Sequence, residues 1–322
     1  MPTPRIEVVH VGSACRDIAP GDARGWRLGG GVTYASLTTA RLGLRTAAVI
    51  GVDAEAAGAH ELETLRHAGV DILQVDLPEG PIFHNIETPQ GRVQISGARG
   101  VPVRPVPIPE AWRRSPAWSL VPVAGEVDDE WAAVIDPTAI VGVAWQGMLR
   151  RLEPGQQVQR LAPTERAIVR RADLVGLSHM DVAPDTSLGT LTSFLHPGAR
   201  LLVTQGGRGG FLVTTDQKGP VEVLRYLPTP TESEVDPTGA GDTFLAALLA
   251  VLVRPSVAAS PGRSLARALR FAAAAGSLAV EDVGLAGVPD RRSVLLRRAR
   301  ERVRRAVVPS LSAQVGVEDP RQ

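Results

Sequence analysis

Short apolar runs alternate with stretches of helical periodicity along most of this 322-residue chain. Residues 6–11 (closed by Gly12), 46–52 and 72–75 are nearly unbroken in Val, Ile, Leu and Ala. Runs with no polar alternate read as strands with both faces covered. Between them, residues 32–42 and 55–67 repeat apolar positions at helical spacing and stop near Gly43 and Gly69. Strand followed by helix, repeated, predicts a layered α/β fold. Asp17 falls in the connection after the first strand, which reads as a loop.

The alternation breaks at residues 81–96. Two strand-like segments, 81–88 and 92–96, flank Pro89-Gln90-Gly91, a turn sequence, and predict a hairpin projecting from the main body as a lid. Its edges need covering, by a partner or a second copy of the chain. After the proline-rich residues 102–109 the α/β pattern resumes. Strands are expected at 119–123, 139–144, 174–177, 201–204, 211–214 and 221–226, and helical segments around 129–134, 163–171 and 185–194. Two long helices, 265–280 and 291–307, are expected to close the chain. The arginines of the last one (Arg297, Arg298, Arg300, Arg302, Arg304 and Arg305) interleave with apolar residues and read as a solvated face.

Composition narrows the function classes. A net charge of +1 gives no general electrostatic case for nucleic acid or membrane surfaces. Cys15 is the single cysteine, which excludes an intrachain disulfide and a thiolate metal cluster. No apolar run reaches spanning length and residues 1–12 lack a leader pattern, so the expected location is cytoplasmic. Lys218 is the single lysine, and no Gly-Lys-Ser/Thr phosphate loop is present.

The chemistry concentrates in Asp236-Pro237-Thr238-Gly239-Ala240-Gly241-Asp242, which runs into the Ala/Leu-rich residues 243–249. Small residues at the start of a buried helix leave backbone N–H groups bare at the positive end of a dipole, a place where an anion is stabilised. A carboxylate there opposes a phosphate unless it faces the hydroxyl that attacks the phosphate, as a general base does. A tight glycine turn with Asp242 as its helix cap is the competing reading.

With these pieces in order, nearly the whole chain resembles the ribokinase-like (PfkB) carbohydrate kinase family. The resemblance rests on Gly29-Gly30 before a helix ending Ala40-Arg41-Leu42-Gly43, on the strand ending at Gly51 and Asp53, and on residues 236–242 leading into Thr243-Phe244. It implies a single domain over residues 1–322, a doubly wound, mostly parallel sheet flanked by helices, and a small β-hairpin lid at about 81–96. It implies transfer of the γ-phosphoryl of ATP to a hydroxyl, with Asp242 as base and Gly239, Ala240 and Gly241 as the anion hole. Thr204, Gly206, Gly209 and Thr238 match the nucleotide side. Asp17, Gly30 and Gly31 match the acceptor side, and a carboxylate such as Asp17 suits vicinal hydroxyls.

The chain departs from the family at three places. Tyr34 stands where an Asn is usual, Gly31 where ribokinases have Lys, and Ser178-His179-Met180-Asp181 where Asn-x-x-Glu is associated with Mg²⁺. Asp181 is the remaining candidate for Mg²⁺, through water, and Asp236 matches a position that supports K⁺ in some relatives. Gln146-Gly147-Met148-Leu149-Arg150 is similar to the branch containing myo-inositol kinases and makes Arg150 a substrate or phosphate contact, or else a structural ion pair. The acceptor expected is a sugar or polyol. A nucleoside stacking on Tyr34 and a non-catalytic ligand sensor are the alternatives, and the edge argument points to a homodimer through the lid, with a monomer as the alternative.

Overall fold

A computed structural model describes residues 5–88, 91–258, 264–298 and 303–305. The chain runs β1 (Val8–Ser13), β2 (Cys15–Ile18), β3 (Trp26–Gly29), α1 (Gly31–Arg41), β4 (Thr46–Val52), α2 (His60–His67) and β5 (Val70–Asp76). It continues through β6 (Pro81–Thr88), β7 (Gly91–Arg99), α3 (Glu110–Arg113), β8 (Ala117–Leu120), β9 (Ile140–Ala144), β10 (Arg150–Arg151) and β11 (Gln159–Arg160). The remainder is α4 (Ala167–Arg171), β12 (Leu174–Ser178), α5 (Leu188–Thr192), β13 (Arg200–Thr204), β14 (Gly210–Asp216), β15 (Gly219–Tyr226), α6 (Ala240–Val253), α7 (Leu265–Ala279), α8 (Arg291–Arg297) and β16 (Val303–Arg305).

The main sheet has the order β16-β15-β14-β13-β12-β9-β8-β1-β4-β5. Strands β13 through β5 of that order are parallel, while β14, β15 and β16 add an antiparallel edge. β1 and β4 are buried along their whole length, which is why they read as unbroken apolar runs. Their pleat divides them between two cores: Ala48, Ile50 and Val52 pack with α1, α2, α6 and α7, and Ala47 and Val49 with α3, α4 and α5. Helices thus cover both faces, and the doubly wound architecture expected from the sequence is what the chain forms. On the second face the helices are short. The buried indoles of Trp112, Trp118, Trp131 and Trp145 fill the volume they leave.

From β1 the chain first builds outward through β4 and β5, then returns to the other side through β8, β9, β12 and β13. Strand order therefore reverses between β1 and β8. In an open α/β sheet the crevice at such a reversal, beyond the strands' C-terminal ends, receives ligands.

Two expectations are corrected. Asp17 lies in a strand, because β2 and β3 pair with the projecting hairpin to make a four-stranded sheet of order β3-β2-β6-β7. The hairpin exists, with its turn residues Pro89 and Gln90 outside the described residues. One outer edge is covered by the chain itself: Ile95 of β7 bridges Gln157, and Val158 N donates to the Gln94 carbonyl at 2.9 Å.

The final long helix also differs. α8 ends at Arg297, and residues 303–305 form β16 at the sheet edge. Arg297 is buried and pairs with Glu281 at 2.8 Å instead of lying on a solvated face. Arg300 and Arg302 lie outside the described residues.

Candidate active site

α6 is the element on which the site is built. Gly239 precedes it in the left-handed region (φ 76°), and Thr243 N donates to the Gly239 carbonyl at 2.8 Å. Only glycine is comfortable there, and no side chain fits. A Cβ on Gly239 would lie 2.2 Å from Cδ1 of Tyr34, so the Tyr34 ring lies directly against this turn. Gly276 plays a similar part from α7, where a Cβ would meet the Ala240 carbonyl at 3.3 Å. Asp242 stands in the first turn of α6, not at its N-cap, so a capping aspartate does not describe it.

The Asp242 carboxyl is half-buried and is pushed up to about 6. Burial is the main cause, Arg150 opposes it, and Asp181 adds to it. α1 enters from the other side. Its N-cap, Gly30, has φ 102°, and a Cβ there would stand 2.5 Å from the Ser13 carbonyl. A Cβ on Gly31 would stand 2.9 Å from Asp242 Oδ1. The two candidate motifs, more than two hundred residues apart, are therefore in direct apposition at the reversal between β1 and β8.

Arg150 and Asp181 join them. Asp181 accepts from Gln146 Nε2 at 2.8 Å and from Ser178 N at 2.7 Å, and lies 3.7 Å from Arg150 Nη2. Burial lowers the Arg150 guanidinium, with Asp181 and Asp242 holding its charge in place. Ser178 and Asp181 form a reciprocal cap on the turn after β12. Asp236 spans two loops, accepting from Thr238 N at 2.9 Å and from Gly284 N at 3.1 Å. Among the described residues no three His, Cys, Asp or Glu side chains gather as a metal site.

The loop after β13 faces the same crevice. Gly206 (φ 56°) opens to free space, whereas a Cβ on Gly209 would meet the Tyr226 carbonyl at 2.2 Å. His179 Nδ1 donates to the Thr204 carbonyl at 3.2 Å, which leaves Nε2 to accept from Arg208 Nη2 at 2.9 Å. Arg208 itself is exposed, beside Gly206.

Asp17 lies on the small sheet with Oδ2 against Gly29, where a Cβ would stand 2.1 Å away. Its Oδ1 accepts from Asn85 Nδ2 at 3.4 Å. Sequence reading missed Asn85, and also Glu126, which is buried and whose carboxylate accepts from Ser13 N, Val123 N and Ala124 N at 2.7–3.1 Å. Burial raises Glu126, against these backbone donors. Glu126 ties the ends of β1 and β8 together at the reversal, a role that depends on distant backbone and leaves no local pattern. Asp53 was read only as part of a motif. It accepts from Ala56 N and Gly80 N and pairs with Arg16 of β2 at 2.9 Å, joining the small sheet to the main one.

Comparison with known proteins agrees with this arrangement. The large sheet flanked by helices, with its small four-stranded companion, is shared with solved structures of the ribokinase fold. The chain superposes on ribokinase of Arabidopsis thaliana complexed with ribose and ATP, with a TM-score of 0.65 and 20% identity over 92% of this chain and 99% of that one. It superposes equally on a pyrophosphate-dependent kinase in the ribokinase family complexed with a pyrophosphate analog and myo-inositol, with a TM-score of 0.65 and 21% identity over 90% and 99%. Residues 172–291, which contain the Asp236–Asp242 loop, match the pfkB family carbohydrate kinase family. Ribokinase of Arabidopsis thaliana is 39% identical over 97 residues, 30% of this chain and 23% of that protein. Ribokinase of Bacillus subtilis is 40% identical over 101 residues, 31% and 30%. The matched stretches thus span about a quarter to a third of these relatives' length. The ribokinase-like (PfkB) resemblance is carried by residues 172–291 in sequence and by nearly the whole chain in fold.

Among the described residues no helix is long and apolar enough to cross a membrane.

Proposed function

We propose that this chain is a kinase that transfers the γ-phosphoryl group of ATP to a hydroxyl of a sugar or polyol. The carrying observation is Asp242, raised to about 6 in the first turn of α6, three residues after the left-handed Gly239 and against Gly31 of α1. A carboxylate with that affinity for protons accepts the acceptor's hydroxyl proton near neutral pH. The acceptor oxygen forms a bond to the γ-phosphorus, the bond to the bridging oxygen breaks, and ADP leaves. The N–H groups at Gly239, Ala240 and Gly241, of which Ala240 N donates over a long 3.3 Å to the Pro237 carbonyl, meet the charge that spreads over the phosphoryl oxygens. Asp17, Gly30, Gly31 and Tyr34 surround the acceptor side, and Thr204, Gly206, Gly209, Arg208 and Thr238 the donor side.

Magnesium, when bound with the nucleotide, would neutralise phosphate charge. Asp181 suits it through water, because one of its oxygens already accepts from Gln146 and the other from Ser178 N. A monovalent cation such as K⁺ fits beside the loops that Asp236 ties together. The proposed kinase is cytoplasmic and dimerises through the small sheet. A second copy would meet β7 beside its own cover at Gln157, or β3, where Leu28 N already donates to the Glu61 carboxylate at 3.0 Å.

The test is product formation by the purified chain with polyols, sugars and nucleosides, each with ATP or with pyrophosphate as donor. Pyrophosphate is included because a structural neighbour is named a pyrophosphate-dependent kinase. ADP formation with a polyol or sugar supports the proposal. A nucleoside acceptor moves the assignment to nucleoside kinase, and no product with any pair moves it to a ligand sensor.

A further inference from the structure

Asp17, Asn85 and Gln94 form a line across three strands of the small sheet. Asp17 is in register with Phe83, and Asn85 with Gln94. The two-residue pleat places Asp17, Phe83, Asn85 and Gln94 on one face. That face looks inward, since Cys15 and Phe83 on it pack against Val123 and Leu152 of the main body.

Gln94 Nε2 donates to Asn85 Oδ1 at 2.8 Å, and Asn85 Nδ2 donates to Asp17 Oδ1 at 3.4 Å. The polarity of this line is set by its ends. A carboxylate only accepts, so Asn85 must turn its N–H to Asp17 and its oxygen to Gln94. The outer end is anchored: the Gln94 carbonyl accepts from Val158 N at 2.9 Å, and Ser96 N donates to the Gln156 carbonyl at 2.9 Å. The inner end is longer than the usual 2.7–3.2 Å, so it has a few tenths of an ångström in which to tighten.

We propose that Asn85, oriented by Gln94, is a positioning residue that sets acceptor selectivity by fixing the plane of the Asp17 carboxylate. The idea rests on the reading of Asp17 as an acceptor contact. A carboxylate held in one plane favours acceptors that offer two vicinal hydroxyls, and one free to rotate accepts a single hydroxyl as readily. A neutral amide suits this position. A carboxylate at 85 repels Asp17, and an aliphatic side chain removes both the donor to Asp17 and the acceptor for Gln94.

The experiment measures acceptor KM, donor KM and kcat for the wild type, Asp17→Asn, Asn85→Ala, Asn85→Asp, Gln94→Ala and the Asn85→Ala/Gln94→Ala pair, using the best vicinal diol of the acceptor panel. Asn85→Ala is expected to raise acceptor KM about tenfold and Gln94→Ala about threefold, with donor KM unchanged. The double variant is expected to match Asn85→Ala alone, because Gln94 acts through Asn85. Asn85→Asp is expected to exceed Asn85→Ala, a difference that loss of packing would not create. Effects of the two alanine variants that multiply would overturn the relay, as would an unchanged KM in Asn85→Ala when Asp17→Asn raises it. If Asp17→Asn itself leaves acceptor KM unchanged, the reading of Asp17 falls and takes the relay with it.

Discussion

Gly31 and Asp242 touch: a Cβ on Gly31 would stand 2.9 Å from Asp242 Oδ1 and 3.0 Å from the Val121 carbonyl. Val121 follows β8 directly, is buried and is held by its N–H to the Val11 carbonyl at 2.9 Å, so the carbonyl has little room to retreat and the carboxylate must move. Gly31→Ala is therefore expected to lower kcat by about ten- to a hundredfold, since small displacements of a reacting group are costly. Donor binding, followed by nucleotide fluorescence, should stay near wild type. An unchanged kcat would remove Asp242 from the chemistry.

The pH dependence of activity and stability should run in opposite directions around Asp242. Its folded-state value of about 6 lies above the ordinary 3.8 because of burial. kcat should rise with pH through about 6 as the base ionises. Between 3.8 and about 6 the folded state holds a proton that the unfolded chain has released, so stability falls as pH rises through that window. Asp242→Asn removes the penalty. It should lose nearly all turnover yet melt higher than wild type at pH 7, by the equivalent of about 1–3 kcal/mol, discounted for partial solvent access. A lower melting temperature for Asp242→Asn would contradict this account.

Gly239→Ala meets two obstacles, a φ of 76° and the Tyr34 ring 2.2 Å from the new atom. Strain and overpacking together should cost about 2–4 kcal/mol and most of the activity. Tyr34→Ala relieves the second obstacle alone. Unfolding of the two single variants and the double variant should show coupling of about 1 kcal/mol or more. Strict additivity would mean that the ring does not constrain the turn.

A further titrating pair holds the segment that leads into the Asp236 loop. Glu281 is held down to about 2, chiefly by its hydrogen bond to Arg297, and also accepts from Thr231 and Glu232 N. Its ordinary value is 4.5, so this stabilisation is complete above that pH and is lost as pH falls from 4.5 towards about 2. Arg297→Ala leaves Glu281 without its main partner and should destabilise by about 3 kcal/mol. Acceptor and donor KM should not move.

What was legible in the sequence was what neighbours in the chain decide. The parallel strands announce themselves because both faces are buried, and α1 is bracketed by Gly30 and Gly43, each with positive φ. Asp242 was found because its glycines sit beside it. Asn85 and Glu126 were not marked by any local pattern, because the contacts that give them a role reach Asp17 and Ser13, 68 and 113 residues away. The last helix misled for the opposite reason. Its Leu and Arg spacing fits a helical face, but Arg297 turns inward to a carboxylate on the segment after α7, and residues 303–305 are taken up by the free edge of β15. Periodicity reports which residues share a side of a helix, not where the helix stops.

Both ends of the β2–β3 pair are rooted within a residue or two of the crevice. Ala14 alone separates β1 from β2, and Gly30 alone separates β3 from α1. The small sheet is thus a lever whose two fulcrums are the end of the central strand and the first turn of α1. Any tilt of it is transmitted as torsion to Gly30, one residue from the glycine that touches Asp242. With Asp242 as the proposed base, gearing of this kind would tie its orientation to what lies beneath the sheet, so that misalignment as well as weak binding would select among acceptors.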